Sequence, residues 1–190
     1  IFGNWLKLSQ KEVDDLTVAG LIHDIGKTKI DDELLAKEER LTEDELNKVR
    51  EHAQQGYDII RHLDLPESVK SAVLLHHERN DGSGYPLGLK REQIPDFAKI
   101  VAIVDIYDAM TSRRAYHKKF SPFRVIQLFE QESFGYLDTK FLFIFLENIA
   151  HYYLGEEALL NNGTKGKIVF IHNQSPSRPI IQSGHDMIDL

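Results

Sequence analysis

The chain has 190 residues, 42% hydrophobic and 28% charged, and its 23 basic and 30 acidic side chains give a formal charge of −7. That is ample apolar content for one compact domain, but too acidic a balance for a general DNA or RNA binder, so an anionic ligand would have to meet a local cationic cluster or a metal. Zero cysteines exclude disulfides, thiolate zinc sites and a thiol nucleophile. No apolar run approaches the roughly 18 residues of a membrane span, and with no signal-peptide pattern the expected compartment is the cytoplasm.

Ile1 to Leu6 reads like the end of a helix, so upstream sequence is expected to be missing. Ser9 with Glu12 forms a capping box that predicts a helix to about His23, and Thr42 with Glu45 predicts a second to about Arg61. Pro66 suits the first turn of a third, and a fourth starts near Pro95 and ends near Thr111. Ser121 and Pro122 open a fifth, and Asp138 caps a sixth that carries the aromatic run Phe141 to Leu146. Residues 1–153 therefore read as nearly all helix. Beyond Leu154 the texture changes: Asn161, Asn162 and Gly163 signal a turn, Lys167 to Ile171 is β-branched and aromatic, and Pro176 and Pro179 punctuate the rest. Residues 154–190 are expected to form three or four short antiparallel strands, too few residues to be stable alone and so packed on the helical body. The fold class is mainly α, a multi-helix bundle with a small C-terminal antiparallel β extension.

The histidines fall on the inward stripes of these helices. Val13, Leu16 and Gly20 are spaced three and four apart, and the next steps land on His23 and Asp24. In the second helix His52 borders the stripe of Leu46, Val49, Ala53, Gly56 and Ile60; in the third, Val69 and Val73 lead to His76 and His77. In the fourth, Ala98, Ala102, Asp105 and Ala109 share a face, leaving room beside the carboxylate. A lone inward histidine is more often a hydrogen-bonded core residue than a ligand. Four helices aiming imidazoles and carboxylates at one core favour a shared metal centre, because each unpaired buried polar group costs about 1–3 kcal/mol. Adjacent residues such as His76 and His77 diverge by about 100° on a helix, which suits two neighbouring ions. Such a pair supports phosphodiester hydrolysis, a bridging hydroxide attacking phosphorus in line with the departing oxygen.

The segments His23-Asp24-Ile25-Gly26-Lys27, His76-His77-Glu78, Asp81-Gly82-Ser83-Gly84-Tyr85-Pro86, Gly88-Leu89, Ile94-Pro95 and Asp105 to Ser112 resemble, in register, the HD-GYP domain, a subgroup of the HD metal-dependent phosphohydrolases. The resemblance implies an HD-type helical bundle holding two or three divalent ions, iron or manganese, and hydrolysis of cyclic di-GMP to pGpG or GMP. Carried over by position, His23, Asp24, His52, His76, His77 and Asp105 match metal ligands, with Asp24 the bridging carboxylate. Lys27 matches the lysine beside the scissile phosphate, and Tyr85 and Arg114 match substrate contacts. An upstream sensory or receiver domain and a homodimer are further partners it suggests. The chain departs from the family pattern at four places. A further upstream ligand would lie before Ile1; Ala115 replaces a usual Pro; His117 replaces Arg or Lys; Tyr136-Leu137-Asp138 replaces Phe-Asp-Pro.

Several of these residues have plainer readings. Lys27 would be favoured at a helix C-terminus by the dipole alone. Arg113, Arg114, Lys118 and Lys119 make a cationic run that is ordinarily a solvated face; Arg114 is the better phosphate or guanine contact because its fork can grip either. The loop around Tyr85 is rich in turn signals in its own right. Asp108 reads as a supporting or arginine-pairing group, and His62, His151, His172 and His185 as structural or surface residues. Two alternatives stand beside cyclic di-GMP hydrolysis: turnover of another nucleotide phosphoester, and a receptor that binds the messenger without cleaving it.

Overall fold

The computed structural model describes residues 1–112, 120–132 and 135–190. Its helices are α1 (Phe2–Trp5), α2 (Gln10–Ile22), α3 (Asp32–Leu35), α4 (Glu43–Arg50), α5 (His52–Ile60), α6 (Glu67–Leu75), α7 (Asp96–Thr111), α8 (Pro122–Glu132) and α9 (Thr139–Tyr152). Both predicted capping boxes close: Glu12 N and Glu45 N donate to the hydroxyls of Ser9 and Thr42 at 3.4 and 3.3 Å, and each glutamate accepts the cap amide at 2.8 Å. Asp138 caps α9 by accepting from Lys140 N at 3.1 Å and Phe141 N at 3.4 Å.

The single helix predicted from Thr42 to about Arg61 is two helices, α4 and α5, divided at Glu51. Glu51 N–H is shared between the carbonyls of Asn47 and Lys48, both at 3.2 Å, while the His52 ring takes the Val49 carbonyl at 2.7 Å, so the hydrogen-bond ladder shifts at this point. Pro66 is the cap before α6 rather than part of its first turn. Nearly all helix overstates residues 1–153. After α6 the chain runs to Lys90 without a helix, held by the isolated bridge between Asp81 and Lys90 and by a buried glutamate described below.

The C-terminal strands β1 (Glu157–Leu159), β2 (Lys165–His172), β3 (Ser175–Ser183) and β4 (Asp186–Asp189) form one antiparallel sheet in the order β1-β2-β3-β4. Ile168, Ile181 and Ile188 are register partners across β2, β3 and β4. Pro176 and Pro179 do not separate strands but lie inside β3; β4 pairs only with Ile180 to Ser183, so the missing amides fall outside that ladder.

One buried cluster joins Ile103 of α7, Phe129 of α8 and Phe141, Leu142 and Phe145 of α9 to Ile168, Ile171 and Ile181 of the sheet. Ser177 Oγ of β3 adds a 2.5 Å hydrogen bond to Glu130 of α8. The strands thus bury their apolar face on the helices, as their small area requires. A smaller cluster of Ala19, Val69, Ala72 and Val101 ties α2, α6 and α7 together. Among the described residues no helix is long and apolar enough to cross a membrane.

Candidate metal centre

The candidate ligand side chains come mostly from helix ends. His23 is the C-terminal cap of α2, His52 the first residue of α5 and His76 the C-terminal cap of α6, whereas Asp105 projects from within α7. A 3-10 turn, Ile25–Lys29, carries the chain away from Asp24. Gly26 lets that turn lie flat on α5: a Cβ there would meet His52 O at 1.9 Å and Gly56 N at 2.5 Å. The close approach brings Asp24 beside His52.

Three imidazoles are oriented in one way. Nδ1–H of His23 donates to Gly20 O at 2.8 Å, that of His52 to Val49 O at 2.7 Å, and that of His76 to Val73 O at 2.9 Å. A carbonyl can only accept, so each ring carries a proton on Nδ1, and in its neutral form turns a bare Nε2 lone pair inward. The lone pairs converge. His52 Nε2 is 3.4 Å from His76 Nε2 and 3.2 Å from His77 Nε2, and it lies 3.3 Å from Asp24 Oδ1. His23 Nε2 stands 3.4 Å from Asp24 Oδ2 and 3.6 Å from Asp105 Oδ1.

Two groups of donor atoms lie within ligating reach: Asp24, His52, His76 and His77 form one, and His23, Asp24 and Asp105 the other. Asp24 belongs to both. His52 and His76 are 1% and 0% exposed, too enclosed for water to satisfy facing lone pairs. Among the described residues, His23 Nε2 and Asp24 Oδ1 are buried without a hydrogen-bond partner. Acceptors converging without donors are what divalent cations would satisfy, and nitrogen with carboxylate oxygen is a donor set suited to iron, manganese or zinc.

The electrostatics of the metal-free cluster divide it in two. Burial opposes a charge on His23, but the Asp105 and Asp24 carboxylates outweigh it and hold this imidazole up at about 10. Burial also opposes the charge on Asp24 and Asp105, yet Asp24 stays well below the usual carboxylate range through His23, His52 and Lys27, and Asp105 is lowered through His23 and the neighbouring imidazoles. His76 is pushed down to about 4 and His77 also falls, by burial first and neighbouring imidazoles second. The carboxylate side is built for positive charge; on the other side burial keeps His76 and His77 neutral, the form that ligates metal.

Lys27, expected beside a scissile phosphate, has Nζ on Asp24 Oδ2. Tyr85 stacks on His77, with ring centroids 4.6 Å apart, and Arg50 lies 5.5 Å over the Tyr85 ring. Asp108 accepts from Ser112 Oγ at 3.0 Å. The expected contact Arg114, like Arg113, Ala115, His117, Lys118 and Lys119, lies outside the described residues. Away from the centre, His151 bonds Glu147 O at 2.6 Å and His172 faces Asp189 at 3.3 Å, local pairings consistent with structural roles.

Sequence reasoning assigned no role to Glu78, Arg79 or Arg50. Glu78 is 3% exposed and accepts from Leu87 N at 2.7 Å and Leu89 N at 2.8 Å, folding the Gly-Tyr-Pro loop back onto the chain. Gly84 packs so tightly there that a Cβ would stand 2.4 Å from Arg79 N. Arg79 donates to His76 O at 3.2 Å and Glu78 O at 2.8 Å, bracing the same turn. A carboxylate directly after two inward histidines was the available signal for Glu78; nothing in the sequence marks Arg50.

The fold and the site define a helical protein that gathers two groups of side chains able to hold a metal around a shared aspartate. The HD domain family profile matches residues 1–140. The chain belongs to the HD-domain family, within the HD-GYP group that its motifs resemble. It is similar to the cyclic di-GMP phosphodiesterase PA4108 of Pseudomonas aeruginosa, at 35% identity over 93% of this chain and 43% of that protein. It is also similar to the cyclic di-GMP phosphodiesterase PdeB of Borreliella burgdorferi, at 31% over 94% of this chain and 47% of that one. A Vibrio cholerae 3'3'-cGAMP-specific phosphodiesterase is 34% identical over 73% of this chain and 32% of that protein. The chain spans less than half the length of each of these relatives. Among solved structures, the HDG"Y"P protein Bd1817 of Bdellovibrio bacteriovorus superposes with a TM-score of 0.61 at 16% identity, covering 75% of this chain and 46% of that one, which speaks to the fold.

Proposed function

We propose that the chain is a metal-dependent phosphodiesterase acting on cyclic di-GMP and releasing pGpG or GMP. The observation that carries this reading is the shared Asp24, flanked by His23 and Asp105 on one side and by His52, His76 and His77 on the other. In this reading His23, Asp24 and Asp105 hold one divalent ion, and Asp24, His52, His76 and His77 hold a second, with iron or manganese suited to the donors. Bound ions would supply Lewis acidity toward the phosphate and a nucleophile at neutral pH.

The protein's own groups do the rest. The Nδ1–H bonds to backbone carbonyls fix the ring orientations, so little reorganisation is needed when ligand arrives. Lys27, held on Asp24, stands where it can donate to a non-bridging phosphate oxygen or to the departing ribose oxygen. The stacked Tyr85 walls the site on the His77 side. Arg114 keeps its role as a substrate contact in this proposal, and a cytoplasmic setting belongs to it.

The test is metal analysis of the purified chain, then incubation with cyclic di-GMP and manganese or ferrous iron and chromatography of the products. Hydrolysis that disappears together with metal in a His23→Ala, Asp24→Ala variant supports the proposal. Firm metal binding without hydrolysis would sink the enzyme reading in favour of a receptor. Because relatives named for 3'3'-cGAMP also match, that dinucleotide belongs in the same assay; a higher kcat/KM for it would move the substrate assignment.

A further inference from the structure

A cyclic dinucleotide carries two phosphodiesters, and a metal centre can engage only the one being cut. The second brings a full negative charge into a protein whose own charge is −7. It needs a cation at the rim of the site that is not committed elsewhere. Lys27 is committed, since its ammonium lies on Asp24 and, in the reading above, serves the phosphate being cut. Arg79 is committed as well, largely enclosed and spent on the carbonyls of His76 and Glu78.

Arg50 differs. It ends α4 two residues before His52 and is half-buried, and its guanidinium lies over the ring of Tyr85, which itself stacks on His77. Among the described residues its polar contact is Nη1 to the Asn47 amide oxygen at 3.0 Å, with no carboxylate on it. A guanidinium presents five donors, so most of the fork stays open. The aromatic ring holds the guanidinium by a cation–π contact without neutralising it, and a planar, charged, partly desolvated fork is the arrangement that grips a phosphate with two parallel hydrogen bonds.

We infer that Arg50, braced on Tyr85, receives the non-scissile phosphate of the cyclic dinucleotide and so orients the ring of the substrate over the metal centre. The inference rests on the phosphodiesterase reading above. It makes Arg50 a substrate-binding residue that matters for a ligand with two phosphates and little for one with a single phosphate.

The experiment compares the full chain with Arg50→Ala and Arg50→Lys, each loaded with manganese, on cyclic di-GMP and on bis(p-nitrophenyl) phosphate, a diester with one phosphate. Loss of one charge-assisted hydrogen-bonding group should raise KM for cyclic di-GMP roughly ten- to hundredfold in Arg50→Ala, with kcat falling far less. Activity on the simple diester should fall no more than about threefold, a size short of a lost charged contact. Arg50→Lys, which keeps the charge but not the fork, should recover part of the KM. Equal losses on both substrates would overturn the inference, because they would mean that Arg50 acts only by holding Tyr85 and His77. An unchanged KM would overturn it too. A wild-type chain that cleaves the simple diester but not the dinucleotide removes the cyclic-dinucleotide reading, and the role of Arg50 falls with it.

Discussion

Tyr85 lies nearly parallel to His77, with ring centroids 4.6 Å apart and planes inclined by 24°. This contact makes the tyrosine of the Gly-Tyr-Pro loop a support for an imidazole of the candidate metal centre. Among the described residues, the stack confines a ring for which no carbonyl anchor of the kind fixing His23, His52 and His76 is found. Removing the support should loosen the ligand. Tyr85→Ala is expected to weaken manganese binding roughly tenfold, within the range seen when groups that orient ligands are lost. Tyr85→Phe keeps the stacked ring and should bind metal within about twofold of wild type, a difference too small to signal a lost support. Calorimetric titration of the chelated protein checks both; an Ala variant with wild-type affinity would show that the stack does not position His77.

Metal removal should cost stability. Among the described residues, His23 Nε2 and Asp24 Oδ1 are buried without hydrogen-bond partners, and a divalent ion would satisfy both. An ion held at one hundred times its Kd adds about 2.7 kcal/mol, which in a domain of this size corresponds to a rise of roughly 5–10 °C in Tm. Chelation should lower the melting temperature by that amount, and manganese should restore it. In His52→Ala the response to manganese should shrink to a few degrees or less, because half the donor set is broken.

Gly26 is the point where the turn after Asp24 meets α5. A methyl group there would collide with backbone, at 1.9 Å from His52 O and 2.5 Å from Gly56 N, and backbone cannot rotate aside as a side chain can. Gly26→Ala should destabilise the protein by about 2–3 kcal/mol, at the upper end of overpacking penalties. It should also weaken metal binding, since relief requires moving His52 away from Asp24. Denaturant unfolding with and without manganese measures the two effects, and a Gly26→Ala protein of wild-type stability would contradict the close approach.

The gathering of these candidate ligands could be read from the sequence because they continue regular hydrophobic stripes. Val69 and Val73 are fully buried and point the way to His76; Ala98 and Ala102 do the same for Asp105. The capping residues Ser9, Thr42 and Asp138 fixed helix starts because their chemistry is local. The division at Glu51 escaped because the apolar stripe runs through it unbroken, and it turns on how the His52 ring competes for the Val49 carbonyl. Periodicity could not reveal Arg50 either. Its position over Tyr85 joins residues 35 apart in sequence through a loop with no periodic pattern. Pro176 and Pro179 misled for a different reason: proline is excluded from the interior of a sheet only where a partner needs its amide, and β4 does not extend that far.

The same loop supplies the last prediction. Glu78 directly follows the two inward histidines, yet its carboxylate turns away to accept the amides of Leu87 and Leu89 at 2.7 and 2.8 Å. At 3% exposure it offers those amides an acceptor where water has little access. The two bonds close the loop that carries Tyr85, so Glu78 reaches the metal centre through Tyr85 and His77. Glu78→Ala removes both acceptors and should cost about 2–4 kcal/mol, two buried amides being left unsatisfied. Glu78→Gln keeps one carbonyl oxygen but turns an NH2 group toward the other amide, so about half of that loss is expected. Hydrogen exchange at Leu87 and Leu89 should quicken in both variants, while the α9 amides of Leu142 to Leu146, in the separate aromatic core, should keep their protection relative to global stability. If exchange at Leu87 and Leu89 is no faster than in the wild type, the carboxylate does not hold the loop, and the path from Glu78 to His77 is broken.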